Sequence, residues 1–477
     1  MSWIKKMALK VPYQIRASFV ILISSFITSA IGFITTPIFA RILSVEEYGL
    51  VTQFNSVLEV VTVLATLSVS AGVYQVAMNE FKEDRDSFTL SALLLSNMAT
   101  VVVFAIIFII IDWFTSFFSL PFSLVLCMFI LLLFSPALNL WMARQRYEYE
   151  YKKVAIVSIV TVFFNLGVAL ICVLTIKGHN LGEVRTISMS VTQIISGAII
   201  YYVIGKISKW KPRWKYIKYT FAFNAPLIIH YLAQYVLRSS DKIMITSFCG
   251  ERATGLYGLG STVASIAMMA WSAMAASLTP YMYTHISSKE YDKVNKAVVA
   301  VIAIFGACCV VVSLIGPEVV FILGSQKYIE NIQLIPPISA SSLLAAIYGV
   351  YSTVAFYHHK RTSTAVMTII AAVINILLNY ILIPKYGYIA AAYTTEIAYL
   401  VYTFLHFLNY RRIVKEEKVF KDGYIWGVTI GTTIICLLTG LFYSNWLIRY
   451  SILLIIFVLA IVMRKRIIQM VRVIIKK

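Results

Sequence analysis

The chain has 477 residues, of which 60% are hydrophobic and 13% are charged, and its mean hydropathy is +0.83. Soluble domains carry about 25% charged residues, so this composition excludes an ordinary soluble protein. The formal net charge of +20 is explained by membrane topology and contact with anionic lipid, and not by nucleic-acid binding.

Apolar runs of about 20 residues, long enough to cross a bilayer, follow one another along the whole chain. Because lipid offers no partners to backbone amides, we expect each run to be a helix. The first run is too long for a removable signal peptide. The runs predict an all-α membrane protein with about fourteen transmembrane helices. In chain order these spans cover residues 17–40, 49–78, 89–111, 121–143, 154–176, 185–204, 220–247, 256–284, 297–316, 334–357, 363–384, 388–410, 423–442 and 449–463.

The loops between these spans are short, and their basic residues are concentrated on alternate loops. If the N-terminus is cytoplasmic, 32 of the 41 Lys and Arg residues lie in cytoplasmic segments. Positive charge favours the cytoplasmic side, so both termini are predicted to lie in the cytoplasm. The tail at 464–477 has apolar residues on one helical face among basic ones, which predicts either a helix on the cytoplasmic leaflet or a frayed basic tail.

Several classes of chemistry find no support in the sequence. The six cysteines lie in or beside apolar runs without CxxC spacing, and no GxxxxGK[ST] loop is present. We therefore predict no metal, no cofactor and no ATP hydrolysis by that route. No outer loop is long enough for the catalytic region of a membrane glycosyltransferase or polymerase, so the protein is predicted not to be an enzyme.

Two pairs of similar segments indicate an internal repeat. Residues 44–50 after the first span resemble residues 250–256 after the seventh, and Asn165 corresponds to Asn375 at nearly the same offset. Six spans separate each pair, so the halves share one orientation, as in transporters built from parallel repeats. We predict two six-helix lobes around a central cavity, followed by two further helices and the tail. The predicted boundaries are 1–210, 211–415, 416–463 and 464–477.

Four stretches, taken in their order, resemble bacterial polysaccharide-transport flippases, which share a superfamily with multidrug and toxic-compound extrusion transporters. One departure is Ala390–Ala392, where that family often has glycine. The stretches are PIFARILSVEEYG at 37–49, DKIMI at 241–245 with Gly-Leu-Tyr at 255–257, GSQKY at 324–328, and NILLNY at 375–380 with PKYG at 384–387.

This resemblance implies a fourteen-helix fold with two six-helix lobes in the bacterial cytoplasmic membrane. It also implies a function, the flipping of undecaprenyl-pyrophosphate-linked oligosaccharide repeat units by alternating access. Such units are built into capsule, O-antigen or exopolysaccharide, so a polysaccharide polymerase and a chain-length regulator are expected partners. The alternative is an ion-coupled multidrug exporter of the same superfamily. A proton or sodium gradient is the expected driving force in either case.

The clearest candidate site lies in the seventh span, where four polar residues share one helical face: His230, Gln234, Arg238 and Asp241. Charge in lipid is costly, so this face is expected to line a cavity or an interface. Arg238 suits a pyrophosphate because its guanidinium can bond two oxygens, with Asp241 holding or releasing it. The structural alternative is an Arg238–Asp241 pair. His230 could titrate or simply pack.

Other polar residues within spans complete the predicted substrate site. Glu59 and Glu396 lie inside spans, where each could meet an arginine or carry a coupling proton, or serve as a buried structural partner. Arg41 ends the first span and is either a cavity residue or an interfacial anchor. Asn375 and Asn379 lie four residues apart, and they either contact sugar or form interhelical hydrogen bonds.

Overall fold

The chain is all-helical over the part of it that the computed structural model describes. Much of the predicted first span, and the side chains of the predicted tail beyond Lys465, lie outside the described residues. No strand occurs among the residues described, which confirms the predicted fold class. The structure describes Ser24 and residues 31–475 without Glu416 and Lys418, with side chains as far as Lys465 except those of Arg361 and Thr362.

Contacts divide the chain into two compact units, Met1–Ser239 and Ser240–Lys477. The last helix of the first unit, α9, continues into the second. The helices that begin in the first unit are α1 (Ile31–Ile42), α2 (Val45–Thr66), α3 (Gly72–Glu80), α4 (Arg85–Ile109), α5 (Ile111–Phe118), α6 (Phe122–Tyr147), α7 (Tyr151–Thr175), α8 (Leu181–Ile207) and α9 (Trp214–Ser287).

The second unit contains the remainder of α9 and seven further α-helices, with a 3₁₀ helix at Gln326–Leu334. Another short 3₁₀ segment, Gly440–Phe442, follows the sixth of the seven. They are α10 (Tyr291–Leu314), α11 (Gly316–Gly324), α12 (Ile335–Tyr357), α13 (Arg361–Tyr386), α14 (Ile389–Val414), α15 (Asp422–Thr439) and α16 (Trp446–Ile475).

Eleven helices of the described residues are long and apolar enough to cross a membrane, so this is a multi-pass membrane protein. At 1.5 Å per residue, the 74-residue α9 would be about 110 Å long, far more than a bilayer of about 30 Å. Gly250, with φ 84° and ψ 176°, breaks α9 between the predicted seventh and eighth spans. Helix α14 matches the predicted twelfth span but is not among the eleven, and the count of fourteen stays a prediction.

The predicted second span at 49–78 is wrong as a continuous helix, because α2 ends at Thr66 and α3 begins at Gly72. Leu67 and Ser68 both have left-handed backbone angles, with φ of 50° and 49°. Such angles cost about 1–3 kcal/mol for residues other than glycine. Asn224 on α9 donates its side-chain amide to the Leu67 carbonyl oxygen at 3.0 Å, which satisfies one acceptor that the break exposes.

The boundary between the two units differs from the predicted lobe boundary after residue 210. Contacts place it after Ser239, and they join the predicted thirteenth and fourteenth spans to the second unit. Helix α15 packs against α10 and α12, and the hydroxyls of Ser313 and Thr439 lie 2.5 Å apart. Helices α15 and α16, which contain the predicted thirteenth and fourteenth spans, therefore belong to the second unit. The arrangement of lobes around a central cavity stays a prediction.

Each unit has its own buried core. In the first unit the aromatic side chains of Tyr74, Phe88 and Tyr216 are buried together, and the Tyr74 hydroxyl lies 2.8 Å from that of Thr89. In the second unit a smaller core contains Ile245 and Ile383 with the small residues Ala391 and Ala392. The alanines that depart from the family pattern thus allow α14 to approach α9 and α13 closely.

Helices α6 and α8 are in close contact at Gly197, where an added Cβ would overlap the backbone carbonyl of Phe134. Gly197→Ala should therefore destabilise the first unit by about 1–3 kcal/mol, as overpacking does in other proteins. The thermal midpoint of the purified protein in detergent measures this effect. Gly167→Ala is the control, because nothing lies within 4 Å of its added Cβ. Equal midpoints for the two variants would contradict the prediction.

Candidate functional site

An accessible ion pair in the first unit contains the leading candidate residue, Arg238. Its Nη2 atom lies 2.8 Å from Oε1 of Glu59 on α2, and their side chains are 59% and 38% exposed. Ser239 donates its hydroxyl to the other Glu59 oxygen at 2.5 Å. The Arg238 guanidinium also lies over the ring of Tyr235, 5.0 Å from its centroid. Contacts with Ser239 and Tyr235 therefore orient the Arg238–Glu59 pair, while more than half of the Arg238 side chain stays exposed.

The Arg238–Asp241 pair, which the sequence offered as the structural alternative, is not formed, since Arg238 pairs with Glu59. Residues three positions apart on a helix lie close enough to pair, so the partners offered by other helices decide where these two side chains bind. Arg238 therefore meets Glu59, while Asp241 meets other helices of the second unit. The expectation that Glu59 contacts an arginine is met by Arg238, but the role of either residue in transport stays a prediction.

Asp241 lies at the centre of a buried polar cluster in the second unit, where it is 3% exposed. Its Oδ2 atom accepts hydrogen bonds from the hydroxyls of Tyr257, at 2.9 Å, and Thr395. Its Oδ1 atom accepts from the Asn379 amide at 2.6 Å. We call Asp241, Tyr257, Asn375, Asn379 and Thr395 the Asp241 cluster.

The two asparagines of the Asp241 cluster form the interhelical hydrogen bonds that the sequence offered as one of their two roles. The Asn379 amide also donates to Oδ1 of Asn375 at 3.2 Å, and the Ser240 hydroxyl donates to the same oxygen at 2.9 Å. Both asparagines are fully buried. Direct contact with a sugar, the other expected role, is therefore not available to them in this conformation.

The Asp241 cluster has the chemistry of a site for a small hard cation or a proton. Carboxylate, side-chain carbonyl and hydroxyl oxygens are the ligands that hard cations prefer. A carboxylate within a membrane span is costly and is a functional candidate by default. The hydroxyl hydrogens of Tyr257 and Thr395 can rotate, so both oxygens can serve either as donors to Asp241 or as ligands.

The other predicted residues are distributed over both units. Glu396 on α14 is 8% exposed, and within the described part of the chain no side chain or backbone group bonds to it. His230 is half-buried, and its Nδ1 atom has no hydrogen-bond partner among the described residues. Gln234 on α9 and Arg41 on α1 are both exposed.

The motif at 37–49 that resembles the flippase family has a structural role at Ser44 and Glu47. The two residues cap the start of α2 reciprocally, with bonds of 2.8 and 3.0 Å. The second Glu47 carboxylate oxygen accepts the Leu181 backbone N–H at 2.8 Å, at the start of α8. Gly182 packs against the Glu47 backbone so closely that an added Cβ would overlap it. The motif thus joins two helix starts.

Sequence reasoning missed Ser239, Tyr257 and Thr395 as members of the two polar sites. Tyr257 belongs to the Gly-Leu-Tyr stretch noted in the sequence, which was the available signal. Thr395 stands next to Glu396, but a threonine in an apolar helix usually bonds to its own backbone and so carries no signal.

Comparisons with known proteins match the chain to one protein family and to curated relatives of low sequence identity. A family model described as "Polysaccharide biosynthesis protein" matches residues 15–286. "Lsg locus putative protein 1" of Haemophilus influenzae is 23% identical over 236 residues, or 47% of this chain and 55% of that protein. "Probable low-salt glycan biosynthesis flippase Agl15" of Haloferax volcanii is 22% identical over 205 residues, or 41% and 42%. The chain spans about half the length of these curated relatives.

Solved structures with the same fold include two kinds of transporter. "Lipid II flippase MurJ, inward closed conformation" has a TM-score of 0.65 at 15% identity, covering 94% of this chain and 100% of that chain. An inward-facing multidrug resistance MATE family transporter of the MOP superfamily has a TM-score of 0.63 at 15% identity, covering 82% and 94%. At these identities the likeness establishes a shared fold.

Proposed function

Because this chain belongs to the polysaccharide biosynthesis protein family, we propose that it is a flippase for undecaprenyl-pyrophosphate-linked oligosaccharide repeat units. It transfers them by alternating access across the bacterial cytoplasmic membrane, with both of its termini in the cytoplasm. The repeat units are used for capsule, O-antigen or exopolysaccharide, with a polymerase and a chain-length regulator acting next. The name of the Haloferax volcanii relative, a probable glycan biosynthesis flippase, supports this assignment.

The observation that carries the proposal is the accessible guanidinium of Arg238 within a membrane protein. A pyrophosphate needs a cation, and the planar guanidinium can donate two parallel hydrogen bonds to its oxygens. Glu59 holds the guanidinium through one nitrogen at 2.8 Å, while the side chain stays 59% exposed. An arriving pyrophosphate can therefore bind the open edge or displace Glu59. Reforming the Arg238–Glu59 pair would then favour release.

The Asp241 cluster is the proposed site of the coupling ion, either a proton or sodium. It lies in the second unit, begins two residues after Ser239 on α9, and is sealed from water. Ion binding there would replace hydrogen bonds to Asp241 with coordination, and so would change how α9, α13 and α14 are held together. A gradient could drive the conformational cycle through that difference in binding.

The alternative is export of small cations, supported by the fold shared with MATE transporters. Such cargo needs an accessible carboxylate, and Glu59 is neutralised by Arg238. Transfer assays should therefore include a cationic dye as well as a lipid-linked saccharide. Dye transport without saccharide transfer would favour the exporter.

The direct test is leaflet transfer of a labelled undecaprenyl-pyrophosphate-linked saccharide in vesicles containing the purified protein. We expect transfer to be faster than in empty vesicles and to respond to an imposed proton or sodium gradient. Protein that is folded and inserted, yet gives the rate of empty vesicles for saccharides of several compositions, would refute the proposed function.

Arg238→Ala should lower saccharide transfer by at least about tenfold, because one charge-assisted phosphate contact is worth about 1.5–3 kcal/mol. Arg238→Lys should keep part of the rate, since it retains charge but not the planar fork. Arg252→Ala is the matched control. It is an exposed α9 arginine paired with Glu330 at 3.1 Å, in the second unit. A similar loss in both alanine variants would mean that α9 tolerates no such change, and not that Arg238 binds pyrophosphate.

A further inference from the structure

The first unit contains a polar cavity that does not include the Arg238–Glu59 pair. Its volume is about 390 Å³, and it lies between the C-terminal half of α6, the N-terminal half of α7, and the break between α2 and α3. Its polar lining consists of Ser70, Asn139, Arg146, Ser158 and Thr161. We call it the Arg146 cavity.

None of these five polar side chains has a hydrogen-bond or ion-pair partner within the described part of the chain. This is unusual for Ser158 and Thr161, because hydroxyls in apolar helices usually bond to the preceding turn. It is unusual for Arg146 too, since two nearby arginines, Arg144 on the same helix and Arg85 at the start of α4, each pair with an acid. The cavity therefore offers one free guanidinium and four free hydroxyl or amide groups.

The charge of the lining residues determines whether the cavity favours an anionic or a cationic ligand. Arg146 is the one charged residue among the described residues of the lining, which contains no carboxylate. An anion is therefore favoured over a cation or a neutral sugar. Guanidinium binds phosphate in particular, through two parallel hydrogen bonds.

The uncharged part of the lining indicates two further properties of the ligand, its hydroxyl groups and its size. The hydroxyl groups of Ser70, Ser158 and Thr161 and the amide of Asn139 both donate and accept, as suits a ligand that carries hydroxyls. The remaining walls are apolar, with Leu138, Met142, Val157 and Val162. A volume of about 390 Å³ is at the small end of the range of about 300–1,000 Å³ for ligand pockets. It suits a phosphate with one sugar or polyol unit.

The position of the cavity along the spans indicates where such a ligand comes from. Arg146 lies in the last turn of α6, at the end that the distribution of basic residues assigns to the cytoplasm. Asn139 lies about 10 Å deeper, two turns earlier on the same helix, at 1.5 Å per residue. Lipid headgroups lie at this depth, and their apolar tails continue into the bilayer.

We propose that the Arg146 cavity binds the phosphate-linked, hydroxyl-bearing headgroup of an anionic lipid. Arg146 holds the phosphate at the cytoplasmic interface, and Ser158, Thr161, Asn139 and Ser70 bind the hydroxyls. Two sources supply this chemistry, a bulk phospholipid such as phosphatidylglycerol and a polyprenyl-pyrophosphate-linked sugar. Only the second source depends on the proposed flippase function.

Native mass spectrometry of the full-length protein in detergent tests the proposal without measuring transport. Three probes are anionic: phosphatidylglycerol, phosphatidylethanol and an undecaprenyl-pyrophosphate-linked monosaccharide. Phosphatidylethanol has the phosphate but no headgroup hydroxyl. The fourth probe, phosphatidylcholine, has no net charge. We expect Arg146→Gln to weaken binding of the three anionic probes about tenfold or more and to leave phosphatidylcholine unchanged. Lys152→Gln is the control, because it removes an exposed positive charge from the first turn of α7, outside the cavity.

The double variant Ser158→Ala/Thr161→Val tests the hydroxyl contacts. It should weaken phosphatidylglycerol about three- to tenfold and leave phosphatidylethanol unchanged, as expected for one or two lost hydrogen bonds. Unchanged binding of all anionic probes to Arg146→Gln, or equal losses in Arg146→Gln and Lys152→Gln, would overturn the proposal. Equal weakening of both phospholipids by the double variant would overturn the hydroxyl contacts.

The same data identify the source of the ligand. A loss of sugar-lipid binding that exceeds the loss for phosphatidylglycerol assigns the cavity to the substrate, and equal losses assign it to anionic lipid in general. Both results support the proposed site. Suppose that the unaltered protein gives no saccharide transfer in vesicles while Arg146→Gln still weakens phosphatidylglycerol binding. That result would refute the proposed flippase function and support the proposed lipid site.

Discussion

Asp241→Asn is expected to reduce gradient-driven saccharide transfer to the rate seen without a gradient. The substitution keeps the shape of the side chain but removes the charge that would hold a proton or sodium. In the unaltered protein, the hydroxyls of Tyr257 and Thr395 and the amide of Asn379 all donate to Asp241. The substitution replaces one accepting carboxylate oxygen with an amide group that donates instead. At least one of these donors then loses its acceptor, at a cost of about 1–3 kcal/mol.

The measurement is transfer in vesicles with an imposed sodium gradient and, separately, an imposed proton gradient. The gradient to which the unaltered protein responds identifies the ion. Asp292→Asn is the control, because its carboxylate is 79% exposed, belongs to the same unit, and pairs with Lys421 at the surface. A full gradient response in folded Asp241→Asn protein would show that the ion binds elsewhere, with the buried carboxyl of Glu396 as the next candidate.

Arg449→Ala should destabilise the second unit by about 3 kcal/mol and loosen α16 from it. Arg449 makes two parallel hydrogen bonds to Glu318, at 2.7 and 2.8 Å, and donates to the Leu314 carbonyl oxygen at 2.8 Å. The arginine side chain is 6% exposed and the glutamate 34%. Removing one partner of a buried pair costs about 3–5 kcal/mol, and partial exposure of Glu318 favours the lower end.

Thermal unfolding in detergent measures this effect, and Arg464→Ala provides the control from an exposed position on the same helix. The double variant Arg449→Met/Glu318→Gln should recover much of the loss, because it leaves no unpaired charge. If the double variant is as unstable as Arg449→Ala, the loss does not come from the charge left unpaired on Glu318.

The same ion pair predicts an acid dependence. Burial raises the pKa of the Glu318 carboxyl, but its hydrogen bonds from Arg449 outweigh burial and hold the pKa below its ordinary value of 4.5. A carboxyl with a lowered pKa stabilises the folded state above the unfolded pKa, and this stabilisation is lost as pH falls through the folded pKa. The difference between unaltered and Arg449→Ala protein should therefore be full at neutral pH and shrink below about 4.5.

Hydropathy and charge were enough to predict the all-helical membrane fold and the bounds of most helices to within a few residues. The break at Leu67–Ala71 escaped prediction because its residues are either apolar or small and include no proline or glycine. Its left-handed angles are held in place by Asn224, from a helix more than 150 positions away. Local sequence carries no record of such a distant contact.

The sequence identified Arg238 and Asp241 as polar residues of one helix, but it did not predict which residues they would contact. Periodicity correctly placed Arg238 and Asp241 on nearby faces of one helix, but it could not choose their partners. The partners were decided by tertiary packing, with Glu59 on α2 for Arg238 and Asn379 on α13 for Asp241. Arg146 escaped notice because it looked like an ordinary basic residue at a span end, and its hydroxyl neighbours come from other segments.

The bond between Glu47 and Leu181 has a consequence for biosynthesis. The two residues are 134 positions apart, so a ribosome adding roughly 5–20 residues per second supplies Leu181 roughly 7–27 s after Glu47. Through that interval α2 has only its own cap at Ser44. The contact between α2 and α8 therefore cannot form until Leu181, just before the sixth predicted span, has been synthesised. Ribosome stalling or truncation before that point should yield a nascent chain that insertion and quality-control machinery must protect.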